Sequence, residues 1–173
     1  SDWLLSRLEK LPRKIPFEDG AQIPLLGEEH VVCHDPDLKA VAIKAENTIK
    51  MGGRPEHLAR RLGDWLREEA KAEIQPRAQT MAAELDRKIG RITVRDTKSR
   101  WGSCAPNGNL SFCWRLILTP EWVLDYVVAH EVSHLRHMDH SAAFWQTVAG
   151  FDVQVEAARA WLNTNAEQLQ RYG

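Results

Sequence analysis

Between residues 55 and 89 apolar side chains recur every three or four positions, at Leu58, Leu62, Trp65, Leu66, Ala70 and Ile74, with charges between them. That period is the stripe of an amphipathic helix, so one long helix is expected here, adjusted at Pro76. Its outer charges, Arg60, Arg61, Arg67 and Lys71 against Glu68, Glu69 and Glu73, nearly cancel. Upstream, residues 21 to 53 carry β-branched residues in short alternating runs, with turn signals at Asp35-Pro36 and Gly52-Gly53. That pattern predicts two or three antiparallel strands. The first 20 residues are punctuated by Pro12 and Pro16 and read as an arm, leaving 21–173 as a single domain.

Downstream, RITVRDTKSRWGSC and NLSFCWRLIL are strand-like runs separated by Ala105-Pro106-Asn107-Gly108. The Asn-Gly pair is a strong hairpin signal, so a β-hairpin should lead into the next helix. Thr119, Pro120 and Glu121 have the chemistry of an N-cap, a first helical residue and an acidic first turn, and the helix they open should run to about Met138 or Asp139. Two further helices are expected over 141–150, stopped at Gly150, and over 153–170, where Val155, Ala158, Trp161 and Leu162 share a side.

The helix after Pro120 carries His130, Glu131 and His134 in the spacing HExxH. At about 100° per residue the two histidines lie one turn apart, about 40° in azimuth and about 6 Å along the axis, so both imidazoles can grip one ion. Glu131 is rotated away from them, where its carboxylate can reach a water on the open side of the metal as a general base. Leu124, Val128, Val132 and Leu135 cluster near the azimuth of Glu131, which sets the motif at the edge of a buried face; Asp125, Ala129, Ser133 and Arg136 mark the wetter side. A catalytic zinc takes three protein ligands and keeps a fourth position for water. His137 lies about 10 Å up the axis from His130 and is a poor third ligand, though a candidate for a supporting or substrate contact. His140 follows the expected break at Asp139 and is preferred, with Glu156 in the last helix as the other candidate.

Composition narrows the alternatives. The chain has 173 residues, 43% of them hydrophobic and 27% charged, with seven tryptophans, which is the make-up of a globular protein. The net charge is −1, so no overall basic field favours nucleic acid or an anionic membrane. Cys33, Cys104 and Cys113 are an odd set without a CxxC, which argues against a disulfide framework and against a cysteine-type zinc site. Together with the absence of a signal-peptide pattern or a membrane-length apolar run, this reads as a cytoplasmic protein.

HEVSHLRHMDHSAAFW, with SRWGSC and GNLSFCWRLILTP, resembles the YgjP-like metallopeptidase domain, a family allied to the SprT-like zinc metallopeptidases, most strongly over residues 85–150. The resemblance implies an α+β, zincin-like fold, in which a small antiparallel sheet accompanies the long amphipathic helix and the HExxH helix. It further implies that His130, His134 and His140 bind Zn2+, with Glu131 as base. It lends RWGSC, residues 100–104, a signature status, but Trp101 and its neighbours read as scaffold. Ser103 and Cys104 have no histidine beside them in sequence, and an activated water makes a covalent nucleophile unnecessary.

The expected reaction is therefore hydrolysis of a peptide or protein substrate, with Arg115, Tyr126 and His137 as candidates for oxyanion stabilisation or substrate contact. Imidazole ligands also suit Ni2+, Co2+ and Fe2+. Two competing readings remain open. One is a metal-dependent hydrolase of nucleotide phosphoanhydrides using basic residues around Lys98, Arg100 and Arg115, although no glycine-rich phosphate loop is present. The other is a non-catalytic module that zinc merely stabilises, which would need four protein ligands.

Overall fold

Alternating burial along residues 22–51 builds the first sheet. The computed structural model describes residues 13–173, and Pro12 with most of the expected arm lies outside them. Strands β1 (Gln22–Leu25), β2 (Glu28–His34), β3 (Ala42–Ala45) and β4 (Thr48–Met51) are ordered β1-β2-β4-β3. Leu26 and Gly27, both at positive φ, close the first hairpin, since a tight two-residue turn needs that geometry. Four strands form instead of two or three. β2 and β4 run parallel, Val32 opposite Ile49 and His34 opposite Met51. Alternation of buried Val32, Ile49 and Met51 with exposed neighbours specifies which face is covered, and strand direction leaves no trace in it.

The second sheet has the order β5-β7-β6, with β5 Ile92–Arg95, β6 Gly102–Cys104 and β7 Leu110–Cys113. The hairpin expected at Asn107-Gly108 joins β6 to β7: Gly108 has φ +89°, and its N–H donates to the Ala105 carbonyl at 2.9 Å. Ile92–Arg95 joins this hairpin as a parallel strand on β7. The architecture is α+β as expected, but each small sheet is mixed where an antiparallel one was anticipated.

Helix α1 (Leu58–Glu84) is the long amphipathic helix, and it runs unbroken through Pro76. Its buried residues fall at Leu58, Leu62, Leu66, Ala70, Ile74, Ala78 and Ala82. A four-residue repeat drifts by about 40° per step, so the apolar stripe winds around the helix. It meets β3 and β4, a 3-10 turn at Trp114–Leu118, the motif helix α2 (Glu121–Ser133), and β5. Arg77 fastens α1 to α2 by donating to Asp125 at 2.7 Å and Glu121 at 3.0 Å while bound to Glu73 at 2.6 Å.

Two expectations for α2 are corrected. Thr119 is not its N-cap: the Thr119 hydroxyl donates to the Leu116 carbonyl at 2.7 Å, closing the preceding turn, and the Pro120 carbonyl accepts the first helical N–H groups. The supposed wet side is dry at its middle, with Ala129 and Ser133 fully buried, while Asp125 and Arg136 at its ends keep contact with solvent. That stripe faces α1, because it is bounded by the Arg77–Asp125 contact at one end and by Arg136 donating to the Leu85 carbonyl at the other. Helices α3 (Ala142–Ala149) and α4 (Val155–Gln170) complete the chain close to expectation. The N-terminal stretch is tied to the C-terminus by Ile15, whose N–H donates to the Arg171 carbonyl at 2.7 Å.

Candidate metal centre

The motif helix ends five or six residues sooner than its pattern suggests. After Ser133 the backbone tightens, Leu135 N–H donating to Val132 and Arg136 N–H to Ser133. His134 is thus the C-cap, and its Nδ1 lies 2.9 Å from the His137 carbonyl oxygen. A carbonyl only accepts, so Nδ1 carries the proton and Nε2 of the neutral ring keeps a free lone pair. The early stop leaves Leu135–Asp139 to loop back and return His140 toward the helix. Ser141 then caps α3 by accepting from the Phe144 N–H at 3.3 Å, which fixes His140 just ahead of that helix.

His130, His134 and His140 converge, with one nitrogen from each lying within 4.8 Å of the others. Their ring centroids are 5.1, 5.2 and 4.9 Å apart. Phe144 stacks on His134 at 4.4 Å and Trp145 on His140 at 5.9 Å, so the aromatic pair ending HSAAFW steers two of the three rings. Burial first, and then the neighbouring imidazoles, hold His140 below the usual histidine range. Neutral rings are what a metal needs as donors. Three imidazoles, one with its second nitrogen already bonded to the backbone, fit a bound divalent ion. Glu156 is exposed in the first turn of α4 and does not join them.

Glu131 is 5% exposed and its Oε1 lies 2.9 Å from Nδ1 of His130. An ionised carboxylate accepts from that ring, which turns Nε2 of His130 to the metal side and leaves the second carboxylate oxygen uncommitted. Room for Glu131 comes from Gly102 in β6: a Cβ there would stand 2.8 Å from Glu131 Cγ and 3.2 Å from its Cδ. Gly102 is accordingly the chemical point of RWGSC, treated as scaffold from sequence; the requirement is a tertiary contact that no local pattern announces. Cys104 beside it is pushed up to about 11 by burial and then by the Glu131 charge. Its thiol therefore stays protonated near neutral pH, unsuited to act as a nucleophile, and it is not among the groups gathered with the three histidines.

A cleft of about 300 Å³ opens on His130 and Glu131 between β6, α2 and α4, with Trp101, Tyr126, Arg159 and Asn163 among its walls. Tyr126 lines the cleft, its ring 5.9 Å from that of His130. His137 contributes its backbone carbonyl to His134, and its ring is not among those stacked around the centre. Arg115 is a correction: it is 3% exposed, donates to Asp96 and to the Tyr172 carbonyl at 3.0 Å, and does not line the cleft. The chain's last turn and the β5–β6 loop consume its charge. Arg100, weighed in the sequence only as a phosphate contact, and Arg159, which sequence reasoning missed, line it instead.

The chain matches the family model described as YgjP-like, metallopeptidase domain, over residues 1–165. Among solved structures it is similar to the metallopeptidase zymogen of Pyrococcus abyssi abylysin, with 19% identity and a TM-score of 0.47, over 57% of this chain and 97% of that one. No curated protein matches it. Among the described residues no helix is long and apolar enough to cross a membrane.

Proposed function

The chain belongs to the YgjP-like metallopeptidase family, and from that premise we propose that it is a zinc-dependent peptidase whose metal is held by His130, His134 and His140. The convergence of those three imidazoles beside the buried Glu131 carries the reading. When bound, zinc supplies the Lewis acidity that makes a water nucleophilic near neutral pH. Glu131 takes the proton of the attacking water at its uncommitted carboxylate oxygen and returns it to the leaving amine. His130, whose Nδ1–H donates to Oε1 of Glu131, holds the carboxylate in place and leaves the other oxygen free for the water. Tyr126, on the cleft wall, donates its hydroxyl to the developing oxyanion; burial raises its pKa, which preserves the proton it needs.

A peptide substrate has a natural track. β6 is an edge strand of its sheet, and its Gly102 touches Glu131. An extended chain pairing with that edge brings its backbone past the base. Cytoplasmic residence suits the three free cysteines. The phosphoanhydride alternative is weakened because, of Lys98, Arg100 and Arg115, only Arg100 lines the cleft. The zinc-staple alternative is weakened because the ligand group among the described residues has three members and not four. The test is Glu131→Gln: metal content should stay at one ion per chain while turnover falls by about 10²–10⁴-fold. Undiminished peptide hydrolysis by this variant overturns the mechanism.

A further inference from the structure

The second sheet has a polar outer face that the catalytic reading leaves unused. β5, β6 and β7 turn Ile92, Val94, Leu110 and Phe112 inward, so by alternation Thr93, Ser103 and Ser111 point out. These three are register partners, Thr93 opposite Ser111 and Ser103 opposite Ser111. They form a row of hydroxyls across all three strands, neighbouring strands being about 4.8 Å apart. Arg91 and Arg95 lie on the same side of β5, one before and one after Thr93. The hollow above this row measures about 530 Å³, is lined by Arg91, Arg95 and Arg100, and has no acidic side chain in its wall.

None of these arginines has an ion-pair partner among the described residues. The nearest acid in sequence, Asp96, is directed at Arg115 and Arg67. From Arg87 to Arg100 the chain holds six basic residues and one acid, within a protein of net charge −1. This segment is therefore locally basic, and three of its arginines face the hollow. The hollow adjoins the cleft, and Arg100 and Gly102 line both. A chain crossing the cleft beside Glu131 and leaving past Gly102 would run over the hydroxyl row between the arginines.

We propose that the outer face of the β5-β7-β6 sheet is an extended substrate subsite that binds an acidic segment of the polypeptide being cleaved. The inference rests on the peptidase reading. Unpartnered guanidinium groups flanking a line of hydroxyls match carboxylate side chains at alternate positions of an extended peptide. Nucleic acid fits less well: the one aromatic residue in the wall, Phe112, is 1% exposed, so no ring is offered for base stacking.

The test is fluorescence anisotropy with the metal-loaded full chain carrying Glu131→Gln, so that binding is read whether or not hydrolysis occurs. The probes are labelled peptides sharing a neutral core, flanked by a tract of either glutamates or glutamines. The glutamate peptide should bind at least about tenfold more tightly at low salt, and raising the salt should erase most of the difference. Reversing Arg91 and Arg95 to glutamate, and separately neutralising both to glutamine, should abolish the preference while the melting temperature stays near that of the parent. Equal binding of the two peptides, or a preference that survives both double variants, overturns the proposal. An oligonucleotide of matched charge that binds more tightly than the glutamate peptide and is lost in the same variants reassigns the face to nucleic acid. If the metal-loaded parent, with Glu131 intact, cleaves neither peptide while the selectivity of binding holds, the peptidase reading fails and this subsite does not.

Discussion

A methyl group added at Gly102 collides with the proposed base. Its carbon would stand 2.8 Å from Glu131 Cγ, 3.2 Å from Cδ and 3.2 Å from the Ser111 carbonyl oxygen. Ordinary carbon contacts lie at about 3.5–4.0 Å, so one of the two sides must yield by roughly 0.7 Å. The Ser111 side is held in the β6–β7 ladder, which leaves Glu131 to move. Gly102 is not at positive φ, so alanine is conformationally allowed and on chain entropy alone stabilises by about 0.4–1 kcal/mol. Overpacking costs about 1–3 kcal/mol, so the net loss of stability for Gly102→Ala lies between about 0 and 2.6 kcal/mol. Catalysis is far less tolerant, because a displacement approaching about 1 Å in a reacting group costs on the order of 10²-fold. Steady-state hydrolysis should show kcat reduced by about 100-fold, with bound metal still at one ion per chain, since no histidine is touched. Full turnover in Gly102→Ala, with the protein folded and loaded, would refute both the base assignment and the steric reasoning behind it.

Replacing His140 by alanine leaves two imidazoles on one helix end, and elemental analysis after dialysis should find far less than one metal ion per chain. Adding metal at about 100 times its dissociation constant should stabilise the parent by about 2.7 kcal/mol and this variant much less. Asp96 is held below its ordinary value: burial pushes the other way, but the hydrogen bond and charge of Arg115 outweigh it. A depressed carboxylate stabilises the fold above its unfolded pKa and withdraws that contribution as pH falls through the folded one. Melting curves should therefore show Asp96→Asn destabilised by about 1–3 kcal/mol at pH 7 through the stranded Arg115, with the gap to the parent closing in acid. Cys104→Ser should keep its turnover, and iodoacetamide should modify Cys104 slowly at pH 7, because burial and then the Glu131 charge push its thiol up to about 11; rapid alkylation with loss of activity would contradict that.

Much of this architecture could be read from local pattern. The four-residue recurrence along α1, the Asn107-Gly108 turn and the His130/His134 spacing are set by neighbours in sequence, and each appears where it was expected. What local pattern missed is long-range. The parallel pairing of β5 with β7 joins segments about 18 residues apart, and alternation is blind to it. Arg115 has the chemistry of an oxyanion donor, yet Asp96 and the Tyr172 carbonyl use it for structure. Ala129 and Ser133 looked wet because they are small and weakly apolar; smallness is what lets α1 approach. The stop of α2 at Ser133 had no glycine or proline to announce it, since it depends on the His134–His137 contact and on Arg136 reaching Leu85.

That early stop has a mechanical consequence. His130 and His134 sit in the last turn and at the C-cap of α2, and a helix C-terminus carries partial negative charge worth about 0.3–1 kcal/mol to a nearby cation. Two ligands belong to the end of one helix and the third to the threshold of the next, so an ion there would act as a rivet through the joint. Chelation should then loosen residues 134–145 as a flap while the arginine clamp at Arg77 keeps α2 seated. The stripped protein would be nicked first by a foreign protease in this short span, close to its own working centre.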